Sequence, residues 1–233
     1  MLRTSITQAS RVVTVGRFRS LALSTVLGLS ALALQPRVAA ATSFSILEKA
    51  ETAVLATAGD PGRGSSAGLP NLDHPRVDSW IKRFTTDLRS SFAAYLTRMT
   101  KYDDMIQGKL SSRGMPEGLI YLAMIESGFN PQARSPARAS GLWQFVASTG
   151  RRFGLTINGR TDERNNPARA TDAALSYLTY LHQKFGSWYL AAAAYNSGEG
   201  TVSRTMKQVL GRTKGSDADY YRISSRLPKE TRD

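Results

Sequence analysis

Apolar residues recur at intervals of three or four from residue 77 to residue 99, which is the spacing of an amphipathic helix. This spacing strongly constrains the fold, because such a stripe must be buried against other elements. Its members are Val77, Ile81, Phe84, Leu88, Phe92, Tyr95 and Met99. No segment shows the sustained alternation of apolar and polar residues expected of strands joined by hairpin turns. The sequence therefore predicts an all-α domain whose first long helix covers residues 77–99.

Three further segments carry the start and stop signals of helices. Asparagine favours the capping position just before a helix, proline favours its first turn, and glycine favours its end. The segments are 116–126, which precedes Gly128, 167–185, which follows Asn166 and precedes Gly186, and 188–195, which is almost wholly apolar. A helix that is apolar on all sides is expected to be buried.

The first 41 residues contain no acidic residue and place four arginines ahead of an apolar run over 21–34. Small residues at 38–41 follow, and this order is typical of a secretory signal peptide, with cleavage expected near Ala40 or Ala41. The alternative is an uncleaved membrane anchor, but the run is shorter than the roughly 18 to 20 apolar residues that span a bilayer. We expect a partly disordered linker over 42–71 and a folded domain over 72–233.

The composition excludes several kinds of site. The sequence has no Cys and only two His, so it cannot form disulfides, and neither a metal nor a cofactor is expected. Export without disulfides is compatible with the bacterial periplasm or cell envelope. The net charge of +13 falls to +8 without the five arginines of the first 41 residues. A basic exported protein favours an anionic cell wall or peripheral contact with a membrane, and we do not expect a nucleic acid partner.

Glu126 lies on the apolar stripe of the helix predicted over 116–126, because Leu119, Leu122 and Ala123 precede it at helical spacing. A carboxyl group desolvated there should have a raised pKa, which a general acid working near neutral pH requires. The alternative is a structural glutamate that caps the helix or pairs with an arginine. Periodicity alone leaves both interpretations open.

The stretch from residue 134 to residue 169 holds seven arginines and only two acidic residues, Asp162 and Glu163. We interpret these two and Glu199, which lies between two glycines, as solvated. The same stretch contains the aromatic segment 141–145. Aromatic faces pack against sugar rings, and an amide side chain both donates and accepts hydrogen bonds, so this segment fits a saccharide cleft. A core position for Trp143 is the alternative.

Four short motifs follow one another along the sequence: IESGFNP at 125–131, SGLWQF at 140–145, AYNSGEG at 194–200 and LPKETR at 227–232. In the order and spacing of these motifs, the sequence resembles the soluble lytic transglycosylase family. Within that family it resembles the membrane-bound lytic transglycosylase D branch, which belongs to the lysozyme-like superfamily. The resemblance covers residues 72–233.

The resemblance implies a lysozyme-like helical domain and a lyase that acts on peptidoglycan glycan strands. Such an enzyme cleaves the β-1,4 bond between N-acetylmuramic acid and N-acetylglucosamine without hydrolysis and leaves 1,6-anhydromuramic acid ends. Glu126 corresponds to the single catalytic acid and base of the family. The implied substrate-binding residues are Ser127, Gly141, Leu142, Trp143, Gln144, Tyr195 and Asn196.

The sequence departs from the family pattern near its end. Relatives usually continue after Glu-Thr-Arg with a tyrosine-bearing helix that closes the catalytic site, whereas this sequence ends at Asp233. We therefore expect either a fragment or a natural truncation of the catalytic domain. Two other functions stay open from the sequence: a hydrolytic muramidase resembling goose-type lysozyme, and a non-catalytic wall-binding module.

Overall fold

The computed structural model describes residues 75–232, and its regular secondary structure in that range is helical. This confirms the all-α prediction. The signal peptide predicted over 1–41 and the linker predicted over 42–71 lie outside the described residues. The helices are α1 (Pro75–Thr85), α2 (Arg89–Met99), α3 (Asp103–Ser111), α4 (Ile120–Ser127), α5 (Ala147–Arg152), α6 (Pro167–Phe185), α7 (Trp188–Ser197), α8 (Glu199–Leu210), α9 (Asp217–Ser224) and α10 (Lys229–Arg232).

The helix α6 supplies much of the core and packs against α3 and α7. The Asn166 side chain accepts hydrogen bonds from the N–H groups of Ala168 and Arg169, each at 3.1 Å, and Pro167 fills the first helical position. Gly186 ends the helix in the left-handed conformation at φ 79°. Both predicted boundaries are confirmed.

The segment predicted as one long helix over 77–99 is two helices, so this prediction is wrong at its centre. The Thr85 hydroxyl donates to the Ile81 carbonyl at 2.9 Å, and the Thr86 hydroxyl donates to the Lys82 carbonyl at 2.7 Å. Side-chain hydroxyls that bond to nearby carbonyls compete with the helical ladder. The chain turns here, and α2 begins after Leu88.

The helix predicted over 116–126 begins as a 3-10 turn at Glu117–Leu119 and continues as α4. It ends at Gly128, which has φ 56°. The Gly128 carbonyl accepts a hydrogen bond from Arg98 Nε at 2.6 Å. A Cβ atom at Gly128 would lie 2.6 Å from the Tyr95 ring. The glycine therefore permits both the left-handed turn and the close approach of α2.

The helix α7 confirms the predicted apolar helix over 188–195. Its buried residues include Leu190, Ala191 and Ala194, and the small alanine side chains allow α6 to approach closely. The Ser187 hydroxyl caps the helix by accepting from the N–H of Leu190 at 3.2 Å. Within residues 75–232, no helix combines the length and the hydrophobicity needed to cross a lipid bilayer.

Candidate active site

Glu126 lies in the last turn of α4, and its side chain is half-buried. Desolvation raises the pKa of this carboxyl group to about 7, while a hydrogen bond with the Asn196 side chain opposes the rise. No charged residue contributes to the shift, and none of the salt bridges found in residues 75–232 includes Glu126. Glu126 therefore does not form the ion pair with arginine that the structural alternative requires within these residues.

The end of α7 supplies two neighbours of this carboxyl group. The Tyr195 hydroxyl donates to the Trp143 carbonyl at 2.8 Å. Burial raises the pKa of Tyr195 well above its usual value, and the charges of Glu126 and Tyr177 add to the rise. The Asn196 side chain acts to lower the pKa of Glu126, and its oxygen accepts a hydrogen bond from the Thr231 hydroxyl at 2.7 Å. The helices α4 and α7 thus meet at Glu126, and α10 contacts α7 at Asn196.

Ser127 ties the end of α4 to the loop over 140–145. Its hydroxyl oxygen lies 2.8 Å from the Leu142 carbonyl, to which it donates, and 3.2 Å from the Ala123 carbonyl. Because the hydroxyl carries a single proton, that proton is used within the protein. What Ser127 retains for another molecule is the capacity to accept a hydrogen bond.

The side chains of Leu142 and Trp143 are fully buried. The indole Nε1 of Trp143 donates to the Thr171 hydroxyl at 2.9 Å, inside the core. The expectation that this aromatic ring lines a saccharide cleft is therefore corrected in favour of the core alternative. These two residues face Ser127 and Tyr195 through their main-chain carbonyls.

Gly141 and Gln144 have left-handed backbones in the same loop, with φ of 83° and 47°. A Cβ atom at Gly141 would overlap the Arg164 carbonyl. The Gln144 amide nitrogen donates to the carbonyls of Gly141 at 2.8 Å and Ala133 at 3.1 Å, which fixes the orientation of the amide. Its oxygen is buried and has no hydrogen-bond partner in the part of the chain that the structure describes.

A row of aromatic rings leads away from the site, and sequence analysis missed it. The Phe145 and Tyr195 rings lie 6.1 Å apart, Tyr195 and Tyr177 lie 5.2 Å apart, and Tyr177 and Phe153 lie 4.7 Å apart. These residues come from different segments, and helical spacing alone cannot indicate such contacts.

The interpretation of Glu199 as a solvated residue is wrong. Its carboxylate accepts from Lys184 Nζ at 2.7 Å, from the Tyr180 hydroxyl at 2.8 Å and from Arg152 Nη1 at 3.1 Å. These hydrogen bonds, that of Lys184 first, lower the pKa of Glu199 to about 2. The cluster joins α5, α6 and α8.

Asp162 and Glu163 are also ion-paired and not merely solvated. Asp162 binds Arg164 at 2.6 Å, and Glu163 binds Arg169 at 3.1 Å. Arg164 also donates to the carbonyls of Arg138 and Phe145, at 2.8 and 3.0 Å. The Asp162 pair therefore helps to hold the loop that contains Gln144.

The site combines one carboxyl group of raised pKa with an amide donor, a fixed amide oxygen and a hydroxyl acceptor. Between residues 75 and 232, no three His, Cys, Asp or Glu side chains gather in an arrangement that could hold a metal ion. A carboxyl group with a pKa of about 7 can both give and take a proton near neutral pH.

A family model described as the transglycosylase SLT domain matches residues 104–217. The chain is 39% identical over 136 residues to the membrane-bound lytic murein transglycosylase D of Escherichia coli K12, covering 58% of this chain and 29% of that protein. It is 38% identical over 126 residues to the peptidoglycan transglycosylase gp16 of Escherichia phage T7, covering 53% and 9%. Identity is 30% over 117 residues to the soluble lytic murein transglycosylase of E. coli K12, covering 48% and 18%.

The matched regions thus span less than a third of the length of each of these relatives. The region that the family model matches includes α4, the loop over 140–145 and α7, which surround Glu126. Residues 104–217 thus form a transglycosylase SLT domain.

Proposed function

We propose that this chain is a peptidoglycan lytic transglycosylase and that Glu126 is its catalytic acid and base. The observation that carries the proposal is the half-buried carboxyl group of Glu126, whose pKa is about 7. Desolvation raises this pKa, and no second carboxylate is among the causes of the rise. Most glycosidases use two carboxyl groups, so a single one fits a reaction in which the substrate supplies the nucleophile. The similarity to named lytic murein and peptidoglycan transglycosylases supports the same activity.

The proposed reaction needs no water. Protonated Glu126 gives its proton to the glycosidic oxygen while the bond from that oxygen to C1 of N-acetylmuramic acid breaks. The resulting carboxylate takes the proton of the C6 hydroxyl as O6 bonds to C1. Glu126 ends protonated, and the products are a 1,6-anhydromuramic acid end and a free N-acetylglucosamine hydroxyl.

The other residues predicted to bind substrate have distinct proposed roles. Gln144 shapes the sugar-binding loop, because its amide nitrogen bonds to the Gly141 and Ala133 carbonyls and its oxygen is buried. Ser127 accepts from the acetamido N–H, since its own proton bonds to Leu142. Tyr195 lines the cleft beside Glu126, and Asn196 stabilises the carboxylate form. Gly141, Leu142 and Trp143 act through the main chain.

The domain organisation and location are part of the proposal. We propose a signal peptide over 1–41, a linker over 42–71 and a catalytic domain over 72–233, in a protein exported to the bacterial periplasm or cell envelope. The composition of the first 41 residues and the basic charge of the remainder support this. The partner is then the peptidoglycan strand, with peripheral contact to the wall or membrane.

The test is digestion of purified peptidoglycan followed by mass spectrometry of the products. We expect anhydromuramic ends from the parent protein and a loss of about a hundred-fold to ten-thousand-fold in rate for Glu126→Gln, which cannot transfer a proton. Glu117→Gln, which alters an exposed glutamate in the preceding 3-10 turn, is the matched control and should keep full activity.

Two results would contradict this assignment. Reducing muramic ends would indicate a hydrolytic muramidase. Equal cleavage by the parent protein and by Glu126→Gln would remove Glu126 from the mechanism.

A further inference from the structure

The Thr231 side chain lies against the proposed active site and has a defined hydrogen bond there. Its hydroxyl donates to Asn196 Oδ1 at 2.7 Å. The backbone of Thr231 is also held, because its N–H donates to the Pro228 carbonyl at 3.0 Å and its carbonyl accepts from the Tyr220 hydroxyl at 3.0 Å. The hydroxyl group therefore stands at a fixed place beside the end of α7.

This hydrogen bond orients an amide that would otherwise be free to turn. Asn196 is exposed, and an amide side chain presents an acceptor at one end and a donor at the other. With Oδ1 held by Thr231, Nδ2 is the end left for the Glu126 carboxyl group, which lies close enough to the Asn196 side chain for that amide to lower its pKa. Without this anchor, the amide can rotate toward solvent or present its oxygen to Glu126.

The charged and titratable groups around Glu126 do not account for its pKa, which leaves the orientation of the Asn196 amide as the influence that a substitution can change. Tyr195, which faces Glu126 from α7, stays neutral near pH 7 because its pKa lies well above its usual value. Arg98 of α2 donates to the Gly128 carbonyl, and Glu199 of α8 is held by its cationic partners. In α10, Glu230 and Arg232 flank Thr231, but no charged group contributes to the Glu126 shift.

We propose that Thr231 is a positioning residue whose hydroxyl holds the Asn196 amide with its nitrogen toward Glu126. The LPKETR segment then has a definite task in the site. Thr231 sets the environment of the acid and base without contact with the substrate. The consequence for catalysis rests on the proposed function, whereas the effect on the Glu126 carboxyl group does not.

The test is an NMR titration of the full chain labelled with 13C at glutamate side chains, with the Glu126 signal identified by its loss in Glu126→Gln. Loss of a hydrogen bond to a carboxylate disfavours the charged form, so we expect Thr231→Val to raise the Glu126 pKa by about one unit. Thr231→Ser keeps the hydroxyl and should stay within a few tenths of a unit. Thr97→Val is the control, because that hydroxyl bonds only within its own helix.

Asn196→Ala provides a second, independent route to the same measurement. It should raise the Glu126 pKa as Thr231→Val does, and the double variant should show no further rise, because both changes remove one interaction. Unchanged pKa values in Thr231→Val and Asn196→Ala would overturn the proposal, as would additive shifts in the double variant.

The pH dependence of kcat/KM separates this inference from the proposed function. If the chain cleaves peptidoglycan, the alkaline limb of the profile should move up by about one pH unit in Thr231→Val and return in Thr231→Ser. A pKa shift in a chain without lytic activity would contradict the proposed function alone. Lytic activity with an unshifted Glu126 pKa would contradict the role of Thr231 alone.

Discussion

The carboxyl group of Glu126 is held where its charge is disfavoured. Desolvation by the surrounding α4 and α7 residues outweighs the hydrogen bond from Asn196 and moves the pKa from 4.5 to about 7. A proton held this way is available for transfer near neutral pH, but the folded protein is destabilised whenever Glu126 ionises. Stability and reactivity therefore oppose each other at this residue.

We predict that Glu126→Gln stabilises the protein at alkaline pH. Because the pKa is higher in the folded than in the unfolded chain, the native state is fully favoured below pH 4.5 and loses stability as pH rises through 7. The variant should exceed the parent by about 3 kcal/mol in free energy of unfolding at pH 8 and match it at pH 4. Urea unfolding at both pH values measures the difference.

Glu117→Gln, an exposed change in the same segment, serves as the reference for a loss of charge alone. Its effect should be small at pH 4 and at pH 8. A Glu126→Gln variant less stable than the parent at pH 8 would show that desolvation is not what raises this pKa.

Sequence spacing could place Glu126 on an apolar helical face, because that property depends on neighbours in the same helix. It could not distinguish a desolvated carboxyl group from an ion-paired one, since that depends on Asn196 and Tyr195, some seventy residues further along the chain. The same limit applies to Trp143, whose partner Thr171 lies 28 residues away in α6. A buried tryptophan and a sugar-stacking one look alike in sequence.

The loop over 140–145 is positioned by backbone contact as well as by side chains. Gly141 packs directly against the Arg164 carbonyl, and this close contact is possible only because glycine has no Cβ atom. Gln144, three residues later, depends on the Gly141 carbonyl for the orientation of its amide. The conformation at Gly141 therefore determines where the amide oxygen lies.

We predict that Gly141→Ala is much more disruptive than Gly154→Ala. Both glycines have positive φ, 83° and 88°, so each substitution incurs the left-handed penalty of roughly 1 to 2 kcal/mol. A Cβ atom at Gly154 meets nothing within 4 Å, whereas at Gly141 it overlaps the Arg164 carbonyl. Urea unfolding should show the larger loss for Gly141→Ala. Equal losses in the two variants would mean that the contact with Arg164 does not restrain the loop.

Elements with strong local signals could be predicted from the sequence. The helix α6 has an asparagine cap, a proline in its first turn and a terminal glycine, and these act through nearby backbone groups. The division between α1 and α2 was not predicted, because Thr85 and Thr86 fit the helical pattern while their hydroxyls compete for its carbonyls. The Glu199 cluster draws on Arg152, 47 residues earlier, and requires the fold to be known.

At the scale of the whole molecule, some cationic side chains form salt bridges and others do not. Lys184 and Arg164 are held by carboxylates, while Arg138 and Arg160 are exposed and belong to none of the salt bridges found in residues 75–232. Arg138 lies on the loop that leads to Gln144. With a net charge of +13 for the full sequence, such arginines give the protein a positive field that favours anionic polymers.

We predict that binding to isolated peptidoglycan sacculi depends on salt and on these arginines. Exposed charges act over about 10 Å in 0.1 M salt and about 3 Å in 1 M salt, so the bound fraction should fall several-fold between those conditions. Replacing Arg138 and Arg160 by glutamine should weaken binding in 0.1 M salt. Replacing Lys207 of α8 and Lys214 of the following loop by glutamine lowers the net charge equally and should weaken binding less. Co-sedimentation with an inactive Glu126→Gln background measures binding without cleavage. If both double variants bind equally, total charge controls wall attachment, and the positions of Arg138 and Arg160 do not.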